Sequence, residues 1–386
     1  MITQYLCGVT PMRKWPKNCF LPKPNVDSSV LQFRFRYTPQ NIEEESFFPL
    51  VKACFRQRRK TILNNYGEYC QDKQQARAEL EKSGIDCTRR EKASHLRNLS
   101  TYMRYIEMKV KAHAKINICL NVVCRRDDGY HELEMIMVPL MLHDELTITL
   151  SSEDCYTCSD AQLRMDETNT IIQAVELMRR TFSLSECFHV HVEKHIPAQA
   201  GLAGGSADAA AVMRGIRDLL KLDISLEELA QLGKQVGADV PFCIMETCAL
   251  VKGIGERITP FAMPCDFHIL LVKPAMGVPT GKAFSMLDFE KCDHPDCNEV
   301  IHALQQGDLA QLSSVISNSL EYSAFQLVPE IADINQQLQR IGFEAVLMSG
   351  SGSTVFAITR KKELLRQAEK RFHNKTYFVC CTAIKQ

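Results

Sequence analysis

The segment Pro197-Ala-Gln-Ala-Gly201-Leu-Ala-Gly204-Gly205-Ser206-Ala-Asp208-Ala-Ala210 constrains this chain more than any other, because a glycine-rich loop runs directly into a helix-forming sequence. Ala209, Val212, Met213, Ile216 and Leu220 recur at three- and four-residue spacing, the apolar stripe of a packed helix. Gly201, Gly204 and Gly205 allow positive φ angles and a close approach of backbone to ligand. Ser206 is placed to cap the helix, and the orphan N–H groups of a first turn, with the helix dipole, favour an anion. A polyphosphate is the expected guest, and a plain surface turn is the competing reading. The spacing is neither that of a G-x-x-x-x-G-K-[ST] loop nor that of a G-x-G-x-x-G dinucleotide fingerprint.

The 386 residues suffice for two or three domains. Net charge is zero overall but unevenly spread: residues 1–105 hold 19 Lys+Arg against 10 Asp+Glu, and the remainder 27 against 36. A basic module joined to an acidic one suggests two partners or two histories. No apolar run reaches the roughly 18 residues of a membrane span, and Met1–Lys17 has no signal-peptide pattern. Seventeen scattered cysteines, among them Cys119, Cys243 and Cys380 inside apolar runs, fit reduced thiols and a cytoplasmic protein. Cys155-x-x-Cys158 has no second pair at zinc spacing, and Cys292–Cys297 reads as a loop, so no dedicated metal site is expected. His189 and His191 read as the polar face of a strand.

Three parts follow along the chain. Residues 1–105 open in extended, proline-punctuated sequence, with a strand over Ser29–Phe35. Helical patterning then carries Phe47, Leu50, Val51, Cys54 and Phe55 into the basic run Arg56–Lys60, and Gln71–Lys82 is a second, charged helix. The basic run is either a solvated helix face or a contact for a phosphate backbone. After a linker near Tyr102–Lys109, strands are expected over Val110–Val123, Glu134–Leu142, Leu146–Leu150 and Phe188–Val192. A turn is expected at Arg125–Gly129, with helices over Ile171–Arg180 and Leu226–Val236. The last part opens with strand Phe267–Val272. Helices centred on Ala283–Leu287, Asn298–Leu304, Leu309–Ser317 and Pro329–Ile341 precede two strands, Val346–Met348 and Val355–Ile358, flanking a second small-residue loop, Ser349–Thr354. Strands, then helices, then strands indicate an α+β fold.

A phosphate cradle needs a charge neutraliser and a group to handle the acceptor's proton. Lys115 sits among Ala114, Ile116 and Ile118, an unusual place for an ammonium, although a snorkelling strand lysine is the plainer reading. Asp239 is also set in apolar sequence, and the competing reading is a helix cap ahead of Pro241. If both point into one pocket, each accounts for the other, and the pair can ready a substrate hydroxyl for phosphoryl transfer.

From about Lys109 onward the chain resembles the GHMP kinase superfamily. The residues that carry this are Ala114-Lys-Ile-Asn-Ile118, Asp128-Gly-Tyr-His-Glu132, the glycine loop, Gly237-Ala-Asp-Val-Pro-Phe242, Gly253-Ile-Gly-Glu256 and Met348–Ser353. The first two select the branch acting on a cytidine-diphosphate methylerythritol. The resemblance implies a ribosomal-protein-S5-like domain over 108–262 and a ferredoxin-like domain over 263–386, ATP with accompanying Mg²⁺, and a small-molecule substrate. It implies Lys115 and Asp239 as the catalytic pair. Pro197, Ala198, Gln199, Ala200, Gly201, Leu202, Ala203, Gly204, Gly205, Ser206 and Ala207 would hold the ATP phosphates, with Asn169 near the adenine. Tyr130 and Phe284 would sandwich the cytosine, His131 would bond its edge, and Asn117 and Thr280 would line the methylerythritol region. Departures from the family pattern are Ala203, whose methyl requires a negative φ, Arg217, Met245–Cys248 and Ser319. Kinases for mevalonate or a sugar are the nearest alternatives.

Residues 1–105 resemble the C-terminal domain of small-subunit rRNA adenine dimethyltransferases. The resemblance rests on Phe20–Ser28, on Phe55-Arg-Gln-Arg-Arg-Lys-Thr-Ile-Leu-Asn-Asn65 and, less fully, on Arg89-Arg-Glu91 with Leu99-Ser100. It implies a small, mainly helical module with an affinity for RNA. The family's catalytic domain has no counterpart in this sequence, so methyl transfer is not expected. An inherited fusion segment is favoured over an RNA-binding adaptor.

Overall fold

The computed structural model describes residues 7–15, 28–35, scattered positions between 61 and 77, and 108–385 apart from 152, 264–266 and 374–375. The chain divides into two compact units: Met1–Glu107 with Thr149–Ser151 and Arg217–Asp223, and the remainder.

In the first unit, β1 (Cys7–Trp15) pairs antiparallel with β2 (Ser28–Phe35), with an irregularity between Pro11 and Arg13. β2 was expected. β1 was not, because Pro11 interrupts it, and proline is tolerated in a strand only at an edge or an irregularity. Leu63, Asn64, Lys73 and Gln74 are helical. The extended 20–27 segment, the apolar positions 47–55, the basic run 56–60 and the motifs at 89–91 and 99–100 lie outside the described residues.

The second unit is built on a long antiparallel ribbon. β3 (Met108–Arg125) runs against β4 (His131–Ser151), from Met108 opposite Ile148 to Arg125 opposite His131. The turn falls at Asp127–Gly129, where Gly129 takes φ +86°. The register shifts at His113/Lys115, Asn117/Cys119 and Val122/Cys124. Such bulges re-aim side chains beside functional sites, and here they bracket Lys115 and Asn117. β4 is one strand, not the two expected. His143-Asp-Glu145 reads as a break, but the Asp144 carboxylate is buried and bonded to the main chain of His195 and Ile196, so the strand continues through it.

β5 (Cys155–Cys158) lies parallel to β6 (Cys187–Glu193), in which Phe188, Val190 and Val192 are buried and the histidines between them half-buried. Helix α1 (Thr170–Phe182) is capped by Asn169, and α2 (Gly204–Leu220) follows the glycine loop. α3 (Leu226–Gly233) starts at a Ser225/Glu228 capping box and ends earlier than its periodicity predicted. α4 (Val240–Met245) has Pro241 in its first turn, where a missing N–H costs nothing. β7 (Ala249–Gly253) and β8 (Arg257–Pro260) complete a six-stranded sheet of order β5-β6-β4-β7-β8, with β3 also on β4.

A second, antiparallel sheet has the order β10-β11-β9-β12, from β9 (His268–Lys273), β10 (Ala345–Met348), β11 (Val355–Thr359) and β12 (Phe378–Ala383). Its helices are α5 (Thr280–Ser285), α6 (Cys297–Gln306), α7 (Leu309–Val315), α8 (Glu321–Leu327), α9 (Glu330–Ile341) and α10 (Lys362–Phe372). Ala114, Ile116 and Ile118 of β3 share one core with Ile269 and Leu271 of β9, Leu347 of β10 and Phe356 of β11. That shared core fixes the two sheets around a common cleft. Among the described residues no helix is long and apolar enough to cross a membrane.

Candidate active site

The glycine loop leaves β6 through Lys194 and enters α2 at Gly204. Three successive carbonyls of the loop are engaged by groups outside it. Ala200 O accepts from Thr354 N (3.2 Å), Gly201 O from Ser349 Oγ (3.0 Å) and Leu202 O from Lys115 N (3.1 Å). The loop is thereby tied to the second small-residue loop and to β3, while the first N–H groups of α2 have no partner within their own helix. Gly201 takes φ +72°, and a Cβ there would lie 2.2 Å from Ser349 O, so only glycine lets the two loops meet.

These loops bound a cleft of about 1380 Å³. Lys115, Asn117, Tyr130, His131, Asn169, Asp239, Thr280 and Phe284 all line it, as do Pro197–Gly201, Ala203, Gly204, Gly205 and Ser206. The side chains of Leu202 and Ala207 do not. Both are buried behind the loop, where apolar burial holds it in place. Ser206 lies inside the first turn of α2 rather than at its cap. Ala203 takes φ +58°, contrary to the negative angle its methyl was expected to need.

Lys115 is only 4% exposed, so it does not snorkel. Its Nζ donates to Asn117 Oδ1 (2.7 Å) and stands 3.6 Å from Asp239 Oδ2. Asp239 occupies the N-cap position of α4 yet makes no side-chain cap bond, and its side chain remains about a third exposed to the cleft. A buried ammonium beside a carboxylate that is free to accept can orient and deprotonate an alcohol. Asn117 is held at both ends, by Lys115 and by a 3.3 Å contact from Nδ2 to Met135 Sδ, and its N–H reaches Ser349 Oγ.

At the other side, His131 and Phe284 stand ring to ring, centroids 5.0 Å apart, while Tyr130 is 62% exposed. Burial, then the nearby Arg125, holds the His131 imidazole below its ordinary pKa. It is therefore neutral at pH 7, with one nitrogen donating and the other accepting. Thr280 Oγ1 lies 2.9 Å from Ser351 Oγ of the second loop. The Asn169 amide is engaged at both ends: Oδ1 accepts from Ile171 N of its helix (2.9 Å), and Nδ2 donates to Arg164 O in the preceding loop (2.8 Å).

Sequence reasoning missed a second charged centre. Lys194 Nζ lies 2.5 Å from Asp144 Oδ2 and 2.6 Å from Asp208 Oδ2, all three groups nearly or fully buried. Lys194 and Asp208 also line the cleft. Burial would depress the Lys194 ammonium, but Asp208 and Asp144 carry it above its ordinary value. Burial pushes Asp208 up to about 7 against the pull of Lys194. No motif joins residues so far apart, and the one available signal was Asp208 itself, a charged residue on the apolar face of α2.

The departures have local explanations. Glu246, in the left-handed region at φ 46°, ends α4 and ion-pairs with Arg214 (2.7 Å) and with Lys385. Buried Ser319 accepts from Val122 N (3.0 Å) and donates to Asp293 O (2.6 Å). Arg217 pairs with its neighbour Asp218.

Comparison with known proteins decides the family. A model of the GHMP kinases N terminal domain matches residues 169–247, one of the GHMP kinases C terminal domain matches 300–377, and one of ribosomal RNA adenine dimethylase matches 1–103. A 4-diphosphocytidyl-2-C-methyl-D-erythritol kinase of Geobacillus thermodenitrificans is 42% identical over 256 residues, 66% of this chain and 88% of the relative. That of Exiguobacterium sibiricum is 38% identical over 275 residues, 70% of this chain and 96% of the relative. The chain belongs to the 4-diphosphocytidyl-2-C-methyl-D-erythritol kinase family. A crystal structure of a 4-(cytidine 5'-diphospho)-2C-methyl-D-erythritol kinase superposes on this kinase with TM-score 0.61 at 30% identity, covering 72% of this chain and 99% of the other. Homoserine kinase from Cytophaga hutchinsonii gives the same TM-score at 18% identity, with 72% and 95% covered, a likeness of fold alone.

Proposed function

We propose that the kinase unit transfers the γ-phosphoryl group of ATP to the 2-hydroxyl of 4-diphosphocytidyl-2-C-methyl-D-erythritol, a step of non-mevalonate isoprenoid biosynthesis. The observation that carries this reading is the Lys115–Asp239 pair standing in one cleft with the glycine loop. The N–H groups of the loop and of the first turn of α2 receive the triphosphate. Asp239 accepts the hydroxyl proton as the oxygen attacks phosphorus, and Lys115 offsets charge on the transferring group. Asn117 fixes the Lys115 rotamer through its 2.7 Å bond, and Thr280 lines the acceptor side. His131 and Phe284 receive the cytosine, with Tyr130 free to close over it. Asn169 shapes the adenine side by capping α1. Lys115 and Asp239 lie in an ATP-binding domain over 108–262, with a second domain over 263–386.

Mg²⁺ accompanying the nucleotide would supply charge neutralisation. Among the described residues no three His, Cys, Asp or Glu converge. Asp208, beside the loop, keeps Oδ1 buried without a hydrogen-bond partner, and its carboxylate is the group that would hold the ion. Eleven cysteines between Cys119 and Cys381 are free thiols, which supports a reducing, cytoplasmic setting.

A coupled ADP-release assay tests the reading with the cytidylyl substrate set against mevalonate and galactose. Turnover with the cytidylyl alcohol alone is expected. Turnover with mevalonate or galactose instead would replace the substrate. The 1–103 match to the rRNA enzymes supports a second reading, RNA contact by the N-terminal segment. Salt-sensitive retention of rRNA, lost in Arg58→Ala/Arg59→Ala, is the result to look for. No retention at low salt leaves an inherited fusion segment, the reading we favour.

A further inference from the structure

Four cationic side chains line the cleft: Lys115, Arg125, Arg164 and Lys194. Lys115 faces Asp239, and Lys194 is held between Asp144 and Asp208. Arg164 lies on the Asn169 side, near Asp166. Among the described residues neither Arg125 nor Arg164 has an acidic partner at ion-pair distance; Arg125 differs from Arg164 in its place, opposite His131 rather than on the Asn169 side. Its neighbour Arg126 is bound by Asp128 (2.9 Å) and Glu132 (2.9 Å). Two adjacent arginines at the end of β3 thus part company, one closing the turn and one left uncommitted at the cleft.

The β-register places Arg125. It stands directly opposite His131 in the β3–β4 ribbon, and residues so paired project from the same face with neighbouring side chains. His131 packs on Phe284 in the cleft, and the Arg125 charge is felt at the His131 ring. An unpaired guanidinium therefore sits beside the base-binding rings, on a different strand from the loop that receives the ATP phosphates. Its planar fork of donors suits a diphosphate better than a sugar or an alcohol.

We propose that Arg125 is a specificity residue that binds the diphosphate of the nucleotide-linked substrate. This rests on the functional reading above, which supplies a pyrimidine nucleoside diphosphate as the acceptor. It makes the cleft discriminate a charged nucleotide from a bare nucleoside, with His131 and Phe284 reading the base and Arg125 the anion attached to it.

Calorimetric titration of the full chain with CDP and with cytidine is the test, for the parent, Arg125→Ala and Arg125→Lys. Loss of a charge-assisted hydrogen bond should weaken CDP binding about tenfold or more in Arg125→Ala. Cytidine and ATP affinities should stay within about twofold, and Arg125→Lys should recover part of the CDP loss. The parent's preference for CDP over cytidine should also narrow as salt is raised. Equal CDP affinity in parent and Arg125→Ala, or an equal loss of CDP and cytidine, overturns the assignment while leaving the substrate reading intact. A parent that binds no CDP at all overturns both.

Discussion

The cleft contains two lysine–carboxylate centres built to opposite specifications. Lys194 is clamped by two carboxylates at 2.5 and 2.6 Å, and Asp144 also takes the main-chain N–H groups of His195 and Ile196. Lys115 has one firm bond, to Asn117, and a looser 3.6 Å approach to a carboxylate that still faces the cleft. The clamp on Lys194 makes the first centre a joint between β4, the loop entry and α2, with Asp208 Oδ1 left without a partner on the cleft side. Incompleteness leaves the second able to engage an incoming group. The lysine held by two short contacts serves the scaffold, and the lysine with a loose carboxylate neighbour serves the incoming group.

Substitutions can break this contrast. Asp239→Asn should lower kcat by about 10²–10⁴, the usual contribution of a positioned general base, while thermal denaturation stays close to the parent because that carboxylate caps nothing. A Tm collapse in this variant would make Asp239 structural instead. Lys194→Met should show its effect in stability. It leaves two buried carboxylates without their cation, at a cost of about 3–5 kcal/mol in denaturant unfolding. Parental stability would show that the clamp holds nothing together.

Two smaller effects sharpen the picture of the second loop and the first. Glu321 accepts from Met348 N (2.8 Å) just before Ser349, and burial pushes its carboxyl up to about 7. Its folded pKa lies above the unfolded one, so the native state holds more protons between about 4.5 and 7, and stability is lost as pH rises through that window. Glu321→Gln should remove this loss and gain up to about 3 kcal/mol at pH 8 relative to pH 5. An unchanged pH–stability curve would contradict it. Ala203→Gly should relieve the positive φ at the loop and stabilise by about 0.5–1 kcal/mol, seen as a small rise in Tm, and a fall would mean the methyl packs usefully.

Local chemistry made much of this site legible in sequence. The glycine loop suggested an anion cradle because small residues run there into a helical stripe, and the helix over Ile171–Arg180 was legible from its periodicity, although the cap that Asn169 supplies was not read. Lys115 and Asp239 stood out as charges in apolar surroundings. What stayed hidden depends on long-range pairing. Lys194, Asp144 and Asp208 meet only because β4 runs unbroken through a polar stretch that looks like a turn. The left-handed angle at Ala203 is imposed by the contacts of its neighbours, Ala200 and Gly201 with the second loop and Leu202 with Lys115. The last helix and strand, α10 and β12, escaped notice because the charged Lys362–Phe372 segment shows only a thin apolar stripe, with Ala368 and Phe372 buried. The freedom of Arg125 is visible only against the engagement of Arg126.

A crystal structure with a non-hydrolysable ATP analogue and the cytidylyl alcohol bears most directly on the central claim. The γ-phosphorus is expected next to Lys115 Nζ, with the acceptor oxygen beside Asp239 and about 3–3.5 Å from phosphorus. A triphosphate seated on the glycine loop whose γ end points away from that pair would contradict the claim.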